Sequence, residues 1–304
     1  MCAQQKLPHG SMYKLKNGCR LVLLDQISSG SQAEVYRAID ADKTRYMAVK
    51  YLFGDYCRHA DKELYYKKTE KLFSVPAFHP DLVWGEGVSE CDSQYNFIYA
   101  MPLVTDHEPV SLIMKDPDAY PLSMRLALCR KIAEIFRAIH EKGFIYGDIS
   151  GSNILFRDKG SQEPDVKVID CEGIIPQNLN LGLSGTGLYR APEVLLGKVP
   201  SIESDIHALA VLTFRILCGD HPLDGAYTKS QPFTTENIIQ FFGKRPFFIF
   251  DGTCNSPSQP AQKRFESLSH PLQLYYYQVF SQDALLGRQH RSSLDVYCRL
   301  MELS

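Results

Sequence analysis

Two rhythms of apolar and polar positions divide this chain, and the change between them falls near Leu103 to Asp106. Ahead of that point the apolar runs are short. Leu21 to Leu24 reads as a strand, Ala33 to Ala38 follows a Ser-Gly-Ser turn, and Tyr46 to Phe53 is a second apolar run with a single Lys inside it. Strands joined by tight turns predict an antiparallel sheet. Residues 58–75 set Leu64, Tyr65, Leu72 and Phe73 among Lys and Glu, the spacing of an exposed amphipathic helix that Pro76 and Pro80 bring to an end. Val83 to Val88 and Tyr95 to Leu103 predict two further strands. Residues 1–19, polar and broken by Pro-His-Gly-Ser, predict a tail or a loose first strand.

Beyond Asp106 the period lengthens. Apolar residues at Leu126, Leu128, Ile132, Ile135, Phe136 and Ile139 predict a long helix from Leu122 to Lys142 that stops at Gly143. Ile206 to Cys218 and Leu272 to Phe280 predict buried helices, and Leu294 to Met301 a closing one. Residues 224–268 are rich in Thr, Ser, Pro and Gln, yet contain Phe247-Phe-Ile-Phe-Asp251, which is too aromatic for a plain linker. The pattern predicts an α+β architecture: a tail over 1–19, a small β-rich lobe with one helix over 20–103, and a larger, mainly helical lobe over 104–304.

Composition changes this picture little. With 44% hydrophobic and 22% charged residues over 304 positions, the chain can bury the core of two lobes. The 33 basic side chains against 35 acidic ones announce no surface for nucleic acid or anionic lipid, so neither is expected as a partner. Nine Cys without a Cys-x-x-Cys pair argue against a disulfide framework or a zinc ribbon and for a reducing compartment. The longest apolar run, Ala208 to Cys218, is too short to span a bilayer, and the N-terminus has no charged head before an apolar stretch. A cytoplasmic location is the expectation.

Candidate chemistry centres on Phe-Ile-Tyr-Gly-Asp-Ile-Ser-Gly-Ser-Asn-Ile-Leu-Phe, residues 144–156. Asp148 and Asn153, five residues apart with small residues between them, suit a loop that brings a carboxylate and an amide to one point. There Asp148 would orient or take the proton of an attacking hydroxyl and Asn153 would hold a metal on a nucleotide, the parts phosphoryl transfer requires. Lys50, inside an apolar strand, needs anionic partners to stay charged, which points to nucleotide phosphates and one carboxylate. Glu63 and Glu70, seven residues apart on the amphipathic helix, are the candidates; Glu70 is preferred and Glu63 stays open. Val166 to Gly173 reads as a strand delivering Asp170 into a turn, where its oxygens suit a second metal ligand. The hairpin Ile27 to Tyr36, with Gly30 beside Ser28, Ser29 and Ala33, lets backbone approach a phosphate closely. Gly185-Thr-Gly-Leu-Tyr-Arg-Ala-Pro-Glu193 and Glu203-Ser-Asp-Ile-His-Ala-Leu-Ala-Val211 are required by no rule of turns or helices.

In this order the residues resemble the eukaryotic-type protein kinase family over residues 21–302. The resemblance implies a bilobal kinase-like fold binding ATP and Mg²⁺ between its lobes. Lys50 and Glu70 would form an ion pair on the phosphates, Asp148 would act on the hydroxyl, and Asn153 and Asp170 would hold the metal. Ser28, Gly30, Ala33 and Val35 would cover the nucleotide, Ala48 and Leu155 would sandwich the adenine, Tyr99 would close the back of the pocket, and Ala100 to Met101 would be the hinge. Asp205 would brace the catalytic loop, and Arg291 would pair with Glu193. The Gly185-Thr186-x-x-Tyr189 form looks like Ser/Thr kinases, so the implied partner is a protein offering Ser or Thr side chains. Met101-Pro102 and the stretch ending Phe247-Phe-Ile-Phe-Asp251 are similar to a group of bacterial kinases.

Three departures stand out. Tyr146-Gly147-Asp148 replaces His-Arg-Asp, which removes the Arg that gathers an activation-loop phosphate and implies activity without that phosphorylation. Ser150 replaces a Lys that usually touches the γ-phosphate, and Cys171-Glu172 replaces Phe-Gly after Asp170. Two alternatives follow from them: a pseudokinase serving as a nucleotide-binding scaffold, or a small-molecule phosphotransferase, whose loop Gly-Asp-x-x-x-x-Asn is similar to the one here.

Overall fold

The structure, a computed structural model, describes residues 7–302 except 31, 42–43, 55, 58, 159, 161–162, 178, 182–184 and 253. The chain divides into two compact units, one running to Thr105 and taking in Asp170–Glu172, the other holding 106–169 and 173–304. The linear boundary at 103 and 104 therefore assigns Asp170–Glu172 to the second lobe, whereas their contacts place them in the first unit.

In the first unit, β1 (Met12–Lys14), β2 (Arg20–Ser29), β3 (Ala33–Asp40), β4 (Tyr46–Leu52), β5 (Gly87–Val88) and β6 (Phe97–Pro102) form one antiparallel sheet in the order β1-β2-β3-β4-β6-β5. Its core side carries Leu21, Leu23, Ala38, Met47, Val49, Ile98 and Ala100, all buried. Because side chains alternate along a strand, Ala48 and Lys50 lie on the other face from Met47 and Val49. Directly opposed residues of neighbouring strands share a face. The pairs Val35↔Lys50, Lys50↔Tyr99 and Ala48↔Met101 therefore put five of the anticipated nucleotide residues on that second face.

One helix, α1 (Lys62–Phe73), packs in this unit; its buried residues include Tyr65, Lys68, Thr69 and Leu72, the i, i+3, i+4, i+7 stripe of an amphipathic helix. Phe73 at its end lies between Trp84 and Tyr99, with ring centroids 5.6 and 5.2 Å away. Gly85 has to be glycine here, since a Cβ would stand 2.2 Å from the Phe73 ring. The strand expected over Val83 to Val88 shrinks to two residues, because Val83 and Trp84 are buried in side-chain packing instead of joining the ladder.

The second unit carries β7 (Glu108–Pro109), β8 (Phe144–Ile145), β9 (Ile154–Arg157), β10 (Asp165–Val168) and β11 (Ile175–Pro176), paired as β10-β9-β7 and β11-β8. Its helices are α2 (Ser111–Lys115), α3 (Leu122–Glu141), α4 (Pro192–Leu195), α5 (Ile202–Cys218), α6 (Ala226–Lys229), α7 (Thr235–Ile238), α8 (Gln259–Glu266), α9 (His270–Val279), α10 (Gln282–Leu285) and α11 (Leu294–Glu302). Helix α3 ends where Gly143 takes φ +76°. Helix α5 is buried on nearly all sides and starts in a capping box between Ser201 and Ser204. The aromatic stretch in 224–268 feeds the core through its middle: Phe248 is buried against Phe214 and Phe280, half-buried Phe250 stacks on Phe265 at 4.1 Å, and Phe247 is exposed. No helix among the described residues is long and apolar enough to cross a membrane.

Candidate active site

In the first unit Lys50 is 8% exposed, and its ammonium meets two carboxylates, Asp170 Oδ1 at 2.8 Å and Glu172 Oε1 at 2.6 Å. Burial alone would push the Lys50 pKa down; Glu172 and Asp170 outweigh it, so the pKa stays above its ordinary value and Lys50 is charged. Glu172, also buried, spends its other oxygen on Tyr99, whose hydroxyl donates to Oε2 at 2.6 Å. Burial would raise the Glu172 pKa, yet Lys50 and these hydrogen bonds hold it below the usual carboxylate range.

The expected partner of Lys50 is corrected by this geometry. Glu70 pairs instead with Lys16 at 2.7 Å, about a third exposed, and Glu63 bonds Lys67 one turn along the helix. Both carboxylates sit off the inward stripe of α1. What that stripe brings inward is a cation: the Lys68 ammonium donates to the backbone carbonyl of Glu172 and lies 4.2 Å from the centre of the Tyr65 ring. Burial drives the Lys68 pKa down to about 7, with Glu172 partly opposing the shift. One signal was in the sequence. Tyr65, Lys68 and Leu72 share the apolar period, and a buried Lys68 next to Lys50 demands a carboxylate from elsewhere.

Asp170 takes φ +58°, a left-handed conformation that Asp tolerates better than most residues, and a short 3-10 turn over Cys171–Gly173 follows. Cys171 is 1% exposed, and burial pushes its thiol pKa well up, so it fills space as a neutral group and is no reactive thiolate. At the β2–β3 hairpin the Gly30 N–H donates to the Ala33 carbonyl at 2.9 Å, and Ser28 pairs with Val35. Met101 and Ala48 are buried.

The second unit holds Asp148 with both of its oxygens engaged. Thr186 Oγ1 donates to Oδ1 at 2.5 Å and Asn153 Nδ2 to Oδ2 at 3.1 Å, while the same amide also donates to the Asp148 carbonyl at 2.9 Å. The loop beneath is held by Asp205, near the start of α5, which accepts from the N–H groups of Tyr146 at 2.7 Å and Gly147 at 3.0 Å and meets His140 Nε2 at 3.0 Å. Gly147 has φ +78°, so the residue standing where the family has Arg also makes this turn without strain. Tyr146 is buried, and its hydroxyl donates to the Ile169 carbonyl at 2.5 Å. Ser150 is buried and bonded to Ser152 at 2.9 Å. Arg291 grips Glu193 with two bonds of 2.6 and 2.9 Å. Leu155 lies on β9 opposite Lys167 and Pro109.

Asn153 and Asp170 were the expected metal ligands. In the second unit Asn153 turns its Nδ2 to Asp148, and in the first Asp170 gives its Oδ1 to Lys50.

One unit thus holds a buried strand lysine paired with two carboxylates, and the other a loop aspartate held by an asparagine and a threonine. The chain belongs to the protein kinase domain family, whose model matches residues 21–279. Among its relatives are the DNA damage-responsive serine/threonine-protein kinase RqkA of Deinococcus radiodurans, 26% identical over 68% of this chain and 31% of that one, and serine/threonine-protein kinase pkn2 of Myxococcus xanthus, 27% identical over 68% and 25%. Serine/threonine-protein kinase PknA of Mycobacterium tuberculosis is 25% identical over 66% of this chain and 48% of its own length. The chain thus spans between a quarter and a half of the curated relatives it matches. The fold is similar to that in the structure of vaccinia related kinase 3, with a TM-score of 0.66 and 16% identity over 99% of this chain and 92% of that one.

Proposed function

We propose that this domain is an ATP-dependent protein kinase that transfers the γ-phosphoryl group to Ser or Thr hydroxyls. The observation that carries the reading is Asp148, a loop carboxylate whose oxygens are oriented by hydrogen bonds from Thr186 and from Asn153. So oriented, Asp148 accepts the substrate hydroxyl and takes its proton as the new O–P bond forms. The bond from Pγ to the bridging oxygen breaks, and ADP leaves. Lys50 binds the α- and β-phosphates, Ala48, Met101 and Leu155 hold the adenine, Tyr99 bounds the pocket, and Ser28, Gly30, Ala33 and Val35 cover the phosphates. Asn153 and Asp170 would hold Mg²⁺, which when bound neutralises charge on the phosphate oxygens. The relatives' names support Ser and Thr as acceptors and a protein as substrate.

Two finer points belong to the same proposal. Gly147 in place of an Arg leaves no guanidinium in the catalytic loop to gather an activation-loop phosphate, so the domain works without that modification. Nine cysteines without a Cys-x-x-Cys pair support a reducing, cytoplasmic setting. The test replaces Asp148 by Asn: transfer of label from γ-labelled ATP to a generic basic protein is lost by about 10²- to 10⁴-fold while nucleotide binding persists. Undiminished transfer overturns the role of Asp148. A wild-type domain that binds ATP and Mg²⁺ without any labelled product overturns the enzyme and leaves a nucleotide-binding scaffold.

A further inference from the structure

Lys50 needs a fixed carboxylate partner if its ammonium is to meet phosphates in one orientation, and within its unit the geometry offers that partner on a single segment. Asp170 and Glu172 stand two residues apart on the turn that begins with the left-handed Asp170, and both reach Lys50. Glu172 is the more confined of the two: 4% exposed, with one oxygen on Lys50 and the other on the Tyr99 hydroxyl. Helix α1 offers no competitor. Its carboxylates are engaged outward, Glu63 with Lys67 and Glu70 with Lys16, and its buried stripe presents Lys68, which holds the Glu172 carbonyl.

We propose that Glu172 is the positioning residue for Lys50, so that the phosphate-binding lysine and the metal-binding aspartate are set by one three-residue turn and not by helix α1. The inference rests on the reading that Lys50 binds nucleotide. Its consequence is a changed route of control. A displacement of α1 leaves the Lys50–Glu172 pair closed and acts on the site indirectly, through Lys68 on the backbone of the turn carrying both acids and through Phe73 against Tyr99.

The experiment compares wild type with E172Q, E172D, E70Q and E63Q in steady-state phosphate transfer, with ATP and a basic protein varied separately, and in titration with a fluorescent ATP analogue. E172Q keeps a hydrogen-bond acceptor beside Lys50 but removes the charge. It is expected to lower kcat/KM for ATP by about tenfold or more while leaving KM for the protein substrate unchanged, and E172D recovers part of the loss. E70Q and E63Q stay within about twofold of wild type, as the loss of an exposed surface pair should. A tenfold fall in E70Q or E63Q, or an E172Q indistinguishable from wild type, overturns the proposal. If thermal unfolding shows that E172Q does not fold, E70Q and E63Q decide: both unchanged supports a partner outside the helix, and a tenfold loss in either overturns it. If wild type transfers no phosphate, the enzymatic reading fails by itself, and analogue affinity carries the test, weakened in E172Q and unaltered in E70Q and E63Q.

Discussion

The cluster around Lys50 and the loop around Asp148 solve the same problem, holding a charged side chain still, by opposite means. Asp148 is fixed by neutral donors, and its loop hangs on backbone N–H groups that converge on Asp205. Lys50 is fixed by charge, inside a buried set in which two carboxylates and Lys68 crowd within one unit. Backbone-anchored loops are specified by where the chain turns. Buried charges are specified by which segments meet, and any one of several acids of the right length can answer a lysine. This explains why the loop keeps its expected anchors while the lysine changes partner.

The comparison breaks most visibly at Asp205. Replacing it by Ala strands the buried N–H of Tyr146 and the half-buried one of Gly147, each costing about 1–3 kcal/mol, so chemical denaturation should show a loss of about 2–5 kcal/mol together with a fall in phosphate transfer. A loss below about 1 kcal/mol would mean that the loop is held by other contacts.

A second measurement sharpens the charged half. Lys68, with its pKa depressed to about 7 by burial, binds fewer protons folded than unfolded between that value and the ordinary lysine range. The buried ammonium therefore costs stability in full at and below about pH 7, and the cost fades as pH rises toward 10. Lys68→Met should gain most over wild type near pH 6 to 7, by up to a few kcal/mol less the lost hydrogen bond, with the gap shrinking toward pH 10. Parallel stability curves for the two proteins would show that Lys68 does not titrate in this way.

The smallest effect belongs to the pair that the helix keeps for itself. Lys16→Ala removes the partner of Glu70 on a surface about a third exposed, and unfolding should shift by less than about 1 kcal/mol. A larger shift would give Glu70 a weight that its position denies.

How far the sequence could be read depended on the range of the interaction. The apolar periods locate α3 and α5, and Phe247-Phe-Ile-Phe-Asp251 is visibly unfit for a linker, in keeping with Phe248 and Ile249 in the core. The grip of Arg291 on Glu193 and of Asp205 on the loop is what the family resemblance in motif order implies, with Glu193 and Asp205 each set near the start of a helix. Val83 and Trp84 were read as strand because buried apolar residues look alike in a ladder and beneath a helix. The sequence offers Lys50 the acids of the amphipathic helix, Glu70 or Glu63, and their spacing says nothing of which helix face turns inward unless Lys68 is counted as part of it.

By itself, then, the chain's order of residues determined the alternation of short strands and long helices, the strand that carries Lys50, the loop that carries Asp148 and Asn153, and the turn that carries Asp170. Only the tertiary structure decided that Glu172, 122 residues along from Lys50, would neutralise it, and that Glu70 would face Lys16. The reason is physical. Backbone preference and apolar period act over a few residues, whereas the partner of a buried charge is chosen by desolvation and Coulomb attraction among whatever groups folding brings within about 3 Å.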